Sequence, residues 1–286
     1  MTDNEMMEKV FSLHKPRYVF HLAAQPLVRL SYDMPKETFQ TNILGTVNVL
    51  ECIKETPSVK IGVMVTSDKC YKNKETLKGY TEEDELGGED PYSSSKACAE
   101  IVINAYRQSF LNGMKKFVAS ARAGNVIGGG DFAKDRLIPD CINALRKNEL
   151  INIRNPDATR PWQHVLESGL GYLLLGEKLF EGEEKFADAW NFGPNQNSMV
   201  NVKKVVDALI ETWGSGEWKD ISNKEYIKKE AKNLFLDNTK TKNILNWHPK
   251  WSVYDAIKKT VYWYKRSEKE DVYKLCLEQT NEFSKR

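Results

Sequence analysis

Cysteine is sparse and scattered in this chain of 286 residues: Cys52, Cys70, Cys98, Cys141 and Cys276 include no Cys-x-x-Cys pair of the kind that binds zinc or cycles between thiol and disulfide. Buried free thiols are the expectation. The four histidines show no metal-ligand spacing, so no metal site is expected. No apolar run approaches the roughly 20 residues that span a bilayer, and Met1-Thr2-Asp3-Asn4-Glu5 lacks the basic-then-apolar order of a secretory signal. The chain therefore reads as soluble and cytosolic, without a membrane partner. An excess of one charge is missing too. The 42 basic and 40 acidic residues leave a net charge of +2, which calls for no nucleic acid.

Against these absences stands Tyr92-Ser93-Ser94-Ser95-Lys96, downstream of Val63-Met64-Val65-Thr66-Ser67-Asp68-Lys69. A Tyr and a Lys four residues apart on a helix share a face, so the ammonium can favour the ionised phenol. At about 4–5 Å and an effective dielectric of about 20, the attraction is on the order of 3–4 kcal/mol, or roughly two pKa units. Tyr92 would then serve as a base near neutral pH. The spacing alone is weak, because surface helices carry such pairs by chance. Its context is stronger. Residues 60–65 form an apolar, β-branched run that reads as a buried parallel strand and ends in Thr66, Ser67, Asp68 and Lys69. A second run, Arg17 to Ala24, ends in small residues that would admit a flat cofactor. Chemistry in open α/β sheets sits at such strand ends.

Strand-like runs at about 17–22, 60–66 and 117–122 alternate with helical patterns at about 36–55 and 92–110, predicting an α/β fold with a parallel sheet. After residue 130 the rhythm loosens into a loop and helix over Asp131–Arg146, a short strand at Ile151–Ile153 and an apolar helix over Val165–Phe180. The division expected is 1–128 as a partial Rossmann domain carrying the chemistry and 129–286 as mainly a smaller substrate-binding lobe with C-terminal helices. One Rossmann feature is missing. No glycine-rich turn with a following ribose-binding acid opens the sheet, and Gly128-Gly129-Gly130 comes only after the third strand. For that cluster a plain flexible loop and a ligand contact are equally good readings.

His21-Leu22-Ala23-Ala24-Gln25-Pro26-Leu27-Val28-Arg29, Thr66 to Tyr71, Asp90 to Lys96, Arg122 to Asp131, Arg160 to Val165, and the closing Leu236-Asp237 with Leu245 to Pro249 resemble successive signature blocks of the extended short-chain dehydrogenases/reductases. Within that superfamily they resemble the CDP-glucose 4,6-dehydratases over nearly the whole chain. The resemblance implies NAD as a recycled hydride carrier, CDP-glucose as substrate and CDP-4-keto-6-deoxyglucose as product, a step toward deoxysugars. It assigns catalysis to Ser67, Asp68, Lys69, Tyr92 and Lys96, cofactor contacts to Ala23, Ala24, Tyr92 and Lys96, and substrate contacts to Asn125, Leu137 and Arg160. Asp68 would protonate the leaving C6 hydroxyl and Lys69 would take the C5 proton. A cationic stabiliser of the enolate, or a surface ion pair with Asp68, are the other readings of Lys69.

Members of this group carry a further front segment with the first strands and the glycine turn. The expectation is thus a truncated or split enzyme that binds cofactor poorly alone, with a separately encoded N-terminal segment as one partner and a homo-oligomer as the assembly. An epimerase of the same superfamily and a catalytically silent subunit are the rival readings.

Overall fold

The computed structural model describes residues 1–76, 78–195, 199–222 and 233–285. Asp3 starts helix α1 (Asn4–His14) by accepting from the Met6 N–H, and Lys15 ends it in the left-handed region at φ 44°. Strand β1 (Tyr18–His21) follows. A helical arm comes next, built of α2 (Val28–Asp33), α3 (Pro35–Phe39), a π turn at Gln40–Leu44 and α4 (Gly45–Glu55). Strand β2 (Ile61–Val65) leads through the Ser67–Tyr71 turn and a long loop to α5 (Pro91–Tyr106), which Asp90 caps and Pro91 opens. A π turn at Arg107–Leu111 then delivers β3 (Phe117–Ala123).

The chain leaves the sheet at β4 (Asn125–Ile127), and α6 (Leu137–Arg146), β5 (Ile151–Ile153), β6 (Thr159–Arg160) and β7 (Trp162–His164) begin the second lobe. It then returns. Helix α7 (Val165–Phe180) covers β2 and β3, and β8 (Ala189–Phe192) pairs parallel with β3. The last part comprises β9 (Val200–Asn201), α8 (Val202–Trp213), β10 (Trp218–Asp220), α9 (Thr239–Leu245), α10 (Val253–Arg266) and α11 (Val272–Ser284).

The main sheet runs β1-β2-β3-β8, parallel throughout, with Tyr18 level with Ile61 and Ile61 level with Phe117. Alternation along the strands separates two apolar layers. Val63 and Ala121 pack with Leu175, Trp190 and Phe192, whereas Met64 and Val118 pack with Leu50, Ile53 and Ile103. A third core, with Ile138, Ile142, Leu209, Ile257 and Val261, belongs to the second lobe. Chain order and lobe do not coincide. A division at 128/129 marks where the backbone first leaves the sheet, but residues 165–192 come back to it.

The glycine cluster has a packing function. A Cβ on Gly129 would lie 2.0 Å from the Trp263 ring, and Gly130 sits at φ +85°. The cluster forms a tight turn against α10, so packing joins the loop and ligand-contact readings that its composition suggested. Cys52, Cys70 and Cys141 are buried, Cys98 half-buried and Cys276 exposed, all as free thiols. Among the described residues, no helix is long and apolar enough to cross a membrane.

Candidate active site

Tyr92 and Lys96 lie in the first turns of α5 because Asp90 receives the Ser93 N–H and aims the helix start at the end of β2. The buried face of this helix carries Tyr92, Ser95, Lys96, Ala99, Glu100 and Ile103, at the three- and four-residue spacing of one stripe. The Ser31 hydroxyl accepts from the Tyr92 N–H at 3.2 Å, and Ser95 donates to the Tyr92 carbonyl at 2.7 Å. Asn42 binds this helix to the loop after β1. Its amide donates to Ser95 Oγ at 2.9 Å and to the Gln25 carbonyl at 3.1 Å, and its Oδ1 accepts from the Gln25 N–H at 2.8 Å.

At the end of β2 the chain makes a tight turn in which Ser67 Oγ accepts from the Lys69 N–H and donates to Asp68 Oδ1 at 3.0 Å. The Ser67 hydroxyl also neighbours the Tyr92 phenol and acts to lower its pKa. Lys69 Nζ lies 3.3 Å from Asp68 Oδ1. Asp68 is fully buried, and its Oδ2 has no partner among the described residues. The structure thus brings Ser67, Asp68, Lys69, Tyr92 and Lys96 into one constellation.

The electrostatics differ from the expectation. Burial pushes the Tyr92 phenol up to about 12, opposed by the hydrogen bond with Ser67 and aided by the Asp68 charge. Burial also pushes Lys96 down, to about 8, although Glu100 works the other way. The sequence argument weighed only the attraction of Lys96 for the phenolate; burial, the largest influence on Tyr92, acts the other way, and Lys96 Nζ is directed to the Val65 carbonyl at 3.4 Å. His21, at the end of β1, is held neutral, its pKa lowered to about 4 by burial and by Lys96.

A cavity of about 1630 Å³ opens between the lobes, and Ser67, Lys69, Tyr92, Asn125, Leu137 and Arg160 all line it. Asn125 begins β4 beyond the end of β3, and its Oδ1 is buried without a partner among the described residues. Leu137 opens α6 on the cavity side, while Arg160 sits on β6 with Nη1 donating to the Thr159 carbonyl at 2.9 Å. Ala23 is exposed and Ala24 half-buried in the loop after β1, so neither closes off the strand end. Sequence reasoning gave no role to Asn42 or Glu100. For Glu100 a signal existed, since it continues the Tyr92–Lys96 stripe by one more turn.

The chain is similar to several known proteins. The profile of the GDP-mannose 4,6 dehydratase family matches residues 1–260. A CDP-glucose 4,6-dehydratase of Salmonella typhimurium is 45% identical over 269 residues, spanning 92% of this chain and 74% of that protein. A human dTDP-D-glucose 4,6-dehydratase is 28% identical over 274 residues, 93% of this chain and 73% of its own. Among solved structures, a dTDP-glucose 4,6-dehydratase of Streptomyces venezuelae with NAD bound superposes with TM-score 0.80 at 21% identity, covering 93% of this chain and 79% of that one. A UDP-glucose 4-epimerase of Thermotoga maritima gives TM-score 0.79 at 24% identity, covering 94% and 83%.

Proposed function

The chain belongs to the GDP-mannose 4,6 dehydratase family, and from that premise we propose that it dehydrates CDP-glucose to CDP-4-keto-6-deoxyglucose with NAD as its cofactor. The residues fit the ribose and nicotinamide end of such a cofactor. Lys96 is a buried ammonium whose hydrogen bond to the Val65 carbonyl leaves donors for ribose hydroxyls, and Tyr92, Ala23 and Ala24 border the same strand ends. NAD held there would supply the hydride acceptor for the sugar C4 and the hydride donor for C6.

Tyr92 takes the proton of the C4 hydroxyl, with Ser67 sharing that hydrogen bond and Lys96, one helical turn away, supplying the positive charge that a buried phenolate needs. The C4 ketone acidifies the C5 proton. Elimination then needs an acid and a base at once, and the Asp68–Lys69 pair, 3.3 Å apart, supplies both by moving one proton. In the reactive form Asp68 is a carboxylic acid and Lys69 a neutral amine. Lys69 takes the C5 proton, Asp68 protonates the departing C6 hydroxyl, and water leaves. As hydride reaches C6, Lys69 gives a proton back to C5, which completes the 6-deoxy sugar. Asn125 and Arg160 hold the nucleotide diphosphate, and Leu137 frames the base.

The observation that carries this reading is that Ser67, Lys69 and Tyr92 face one cavity, with Asp68 bonded to the lysine. A simple epimerase has no use for the acid–base pair. Incubating the chain with NAD and CDP-glucose should yield a keto sugar, seen by its absorbance in base; recovery of an epimerised sugar would remove the dehydratase reading. A second copy of the chain is the partner proposed for the helical face on which Phe39, Leu44, Ile101 and Phe110 are exposed. Light scattering should then give at least a dimer, and a strictly monomeric species would count against it.

A further inference from the structure

Glu100 on α5 and Arg122 on β3 form a fully buried ion pair, Arg122 Nη2 lying 2.7 Å from Glu100 Oε2. Its other partners are unusual in their placement. Glu100 Oε1 accepts from the Thr66 hydroxyl, and Oε2 also accepts from Ser120 at 2.8 Å. Arg122 Nη1 donates to the Tyr71 hydroxyl at 2.7 Å, with the guanidinium 5.0 Å from the Tyr71 ring centre. Tyr71 in turn donates to Asn191 Oδ1 at 2.8 Å. Thr66 and Tyr71 are the two residues that flank Ser67-Asp68-Lys69-Cys70.

A buried ion pair is weak support for stability, because apolar replacements of similar volume often serve as well. What an apolar core cannot do is grip two hydroxyls at fixed points. Here one acid on α5 holds the start of the turn, and one base on β3 holds its end. Glu100 lies on the stripe that bears Tyr92 and Lys96, so the same contact sets the turn against the phenol. Burial opposes the Glu100 charge, yet Arg122 with the Thr66 and Ser120 hydroxyls holds its carboxyl below the ordinary value.

We propose that Glu100 and Arg122 are positioning residues, a clamp on both ends of the Thr66–Tyr71 turn that fixes Asp68 and Lys69 against the sugar C5 and C6. The clamp is a property of the fold, while its use in elimination rests on the function proposed above.

Cys70 reports on the clamp, being fully buried inside the turn, while Cys52 and Cys141 are buried elsewhere and Cys276 is exposed. Alkylation by iodoacetamide, followed by peptide mass spectrometry, should find Cys70 as protected as Cys141 in the unaltered chain. In Glu100→Gln, which keeps size and removes charge, Cys70 should react about 10- to 100-fold faster while Cys52 and Cys141 stay protected. Tyr71→Phe, which frees only one end, should give the same pattern to a smaller degree and serves if Glu100→Gln fails to fold. With CDP-glucose turning over, both variants should lose kcat about tenfold or more with KM within about threefold. A Cys70 that stays protected, or one that reacts only together with Cys52 and Cys141, overturns the clamp. A released Cys70 with unchanged kcat overturns its positioning role. Should the unaltered chain epimerise CDP-glucose instead of dehydrating it, the functional reading falls, and the alkylation pattern still decides the clamp.

Discussion

Lys96 reaches from α5 to the Val65 carbonyl at 3.4 Å, so a buried ammonium joins the helix bearing Tyr92 to the last residue of β2. Burial holds this lysine near a pKa of about 8 against the ordinary lysine value of 10.5. Unfolded chain therefore binds the proton more tightly than folded chain between those pH values, and the penalty of keeping Lys96 charged is complete below pH 8 and relieved as pH rises toward 10.5. The penalty is about 3 kcal/mol. Lys96→Met should accordingly raise the urea midpoint at pH 7 while abolishing turnover, and its advantage should shrink above pH 9. A variant less stable than the parent at pH 7 would contradict this account.

Lys69 separates two roles by one substitution. A guanidinium keeps the positive charge beside Asp68 but cannot shed its proton to act as a base. If Lys69 takes the C5 proton, Lys69→Arg and Lys69→Met lose activity alike, by about 10²- to 10⁴-fold. Solvent deuterium incorporation at C5 should be lost in both. Substantial activity in Lys69→Arg would assign the residue to charge stabilisation instead.

The pairing of Tyr92 with Lys96 was readable from sequence because helical spacing alone puts positions four apart on one face, and the Ile61–Val65 strand was readable from its unbroken apolar character. Helix α7 occupies the span its apolar pattern predicts, Val165–Phe180. Other features depend on contacts between distant segments. The raised pKa of Tyr92 follows from how fully the surrounding elements exclude water. Strand β8, Ala189-Trp190-Asn191-Phe192, is too short to declare itself and gains its identity from pairing with β3. Glu100 and Arg122 look like surface charges until α5 and β3 are placed side by side.

His164 makes acid stability a test of the second lobe. It caps α7 by accepting from the Leu166 N–H through Nδ1, and burial with the nearby Lys259 charge lowers its pKa to about 4. Folded protein holds it neutral, and unfolded chain protonates it near 6.5. Its contribution is thus complete above pH 6.5 and is lost as pH falls toward 4. At pH 5.5 the loss is about 1–1.5 kcal/mol. His164→Asn keeps a capping acceptor without the titration. Its unfolding free energy should fall less steeply between pH 7 and 5 than that of the parent; parallel slopes would show that His164 is not the group responsible.

Gly129 tests whether the glycine cluster serves packing. An added Cβ would sit 2.0 Å from the Trp263 ring, inside any real contact, and Trp263 is buried on α10 within the core of the second lobe. Gly129→Ala must push that helix away or twist the ring from its rotamer, at a cost of about 1–3 kcal/mol. Combining it with Trp263→Leu removes the obstacle, so the added cost of Gly129→Ala in that background should fall below about 0.5 kcal/mol. Denaturant midpoints of the four proteins in this cycle measure the coupling directly. If the two substitutions add without coupling, the cluster is not held by Trp263, and a ligand contact becomes the better account of three consecutive glycines.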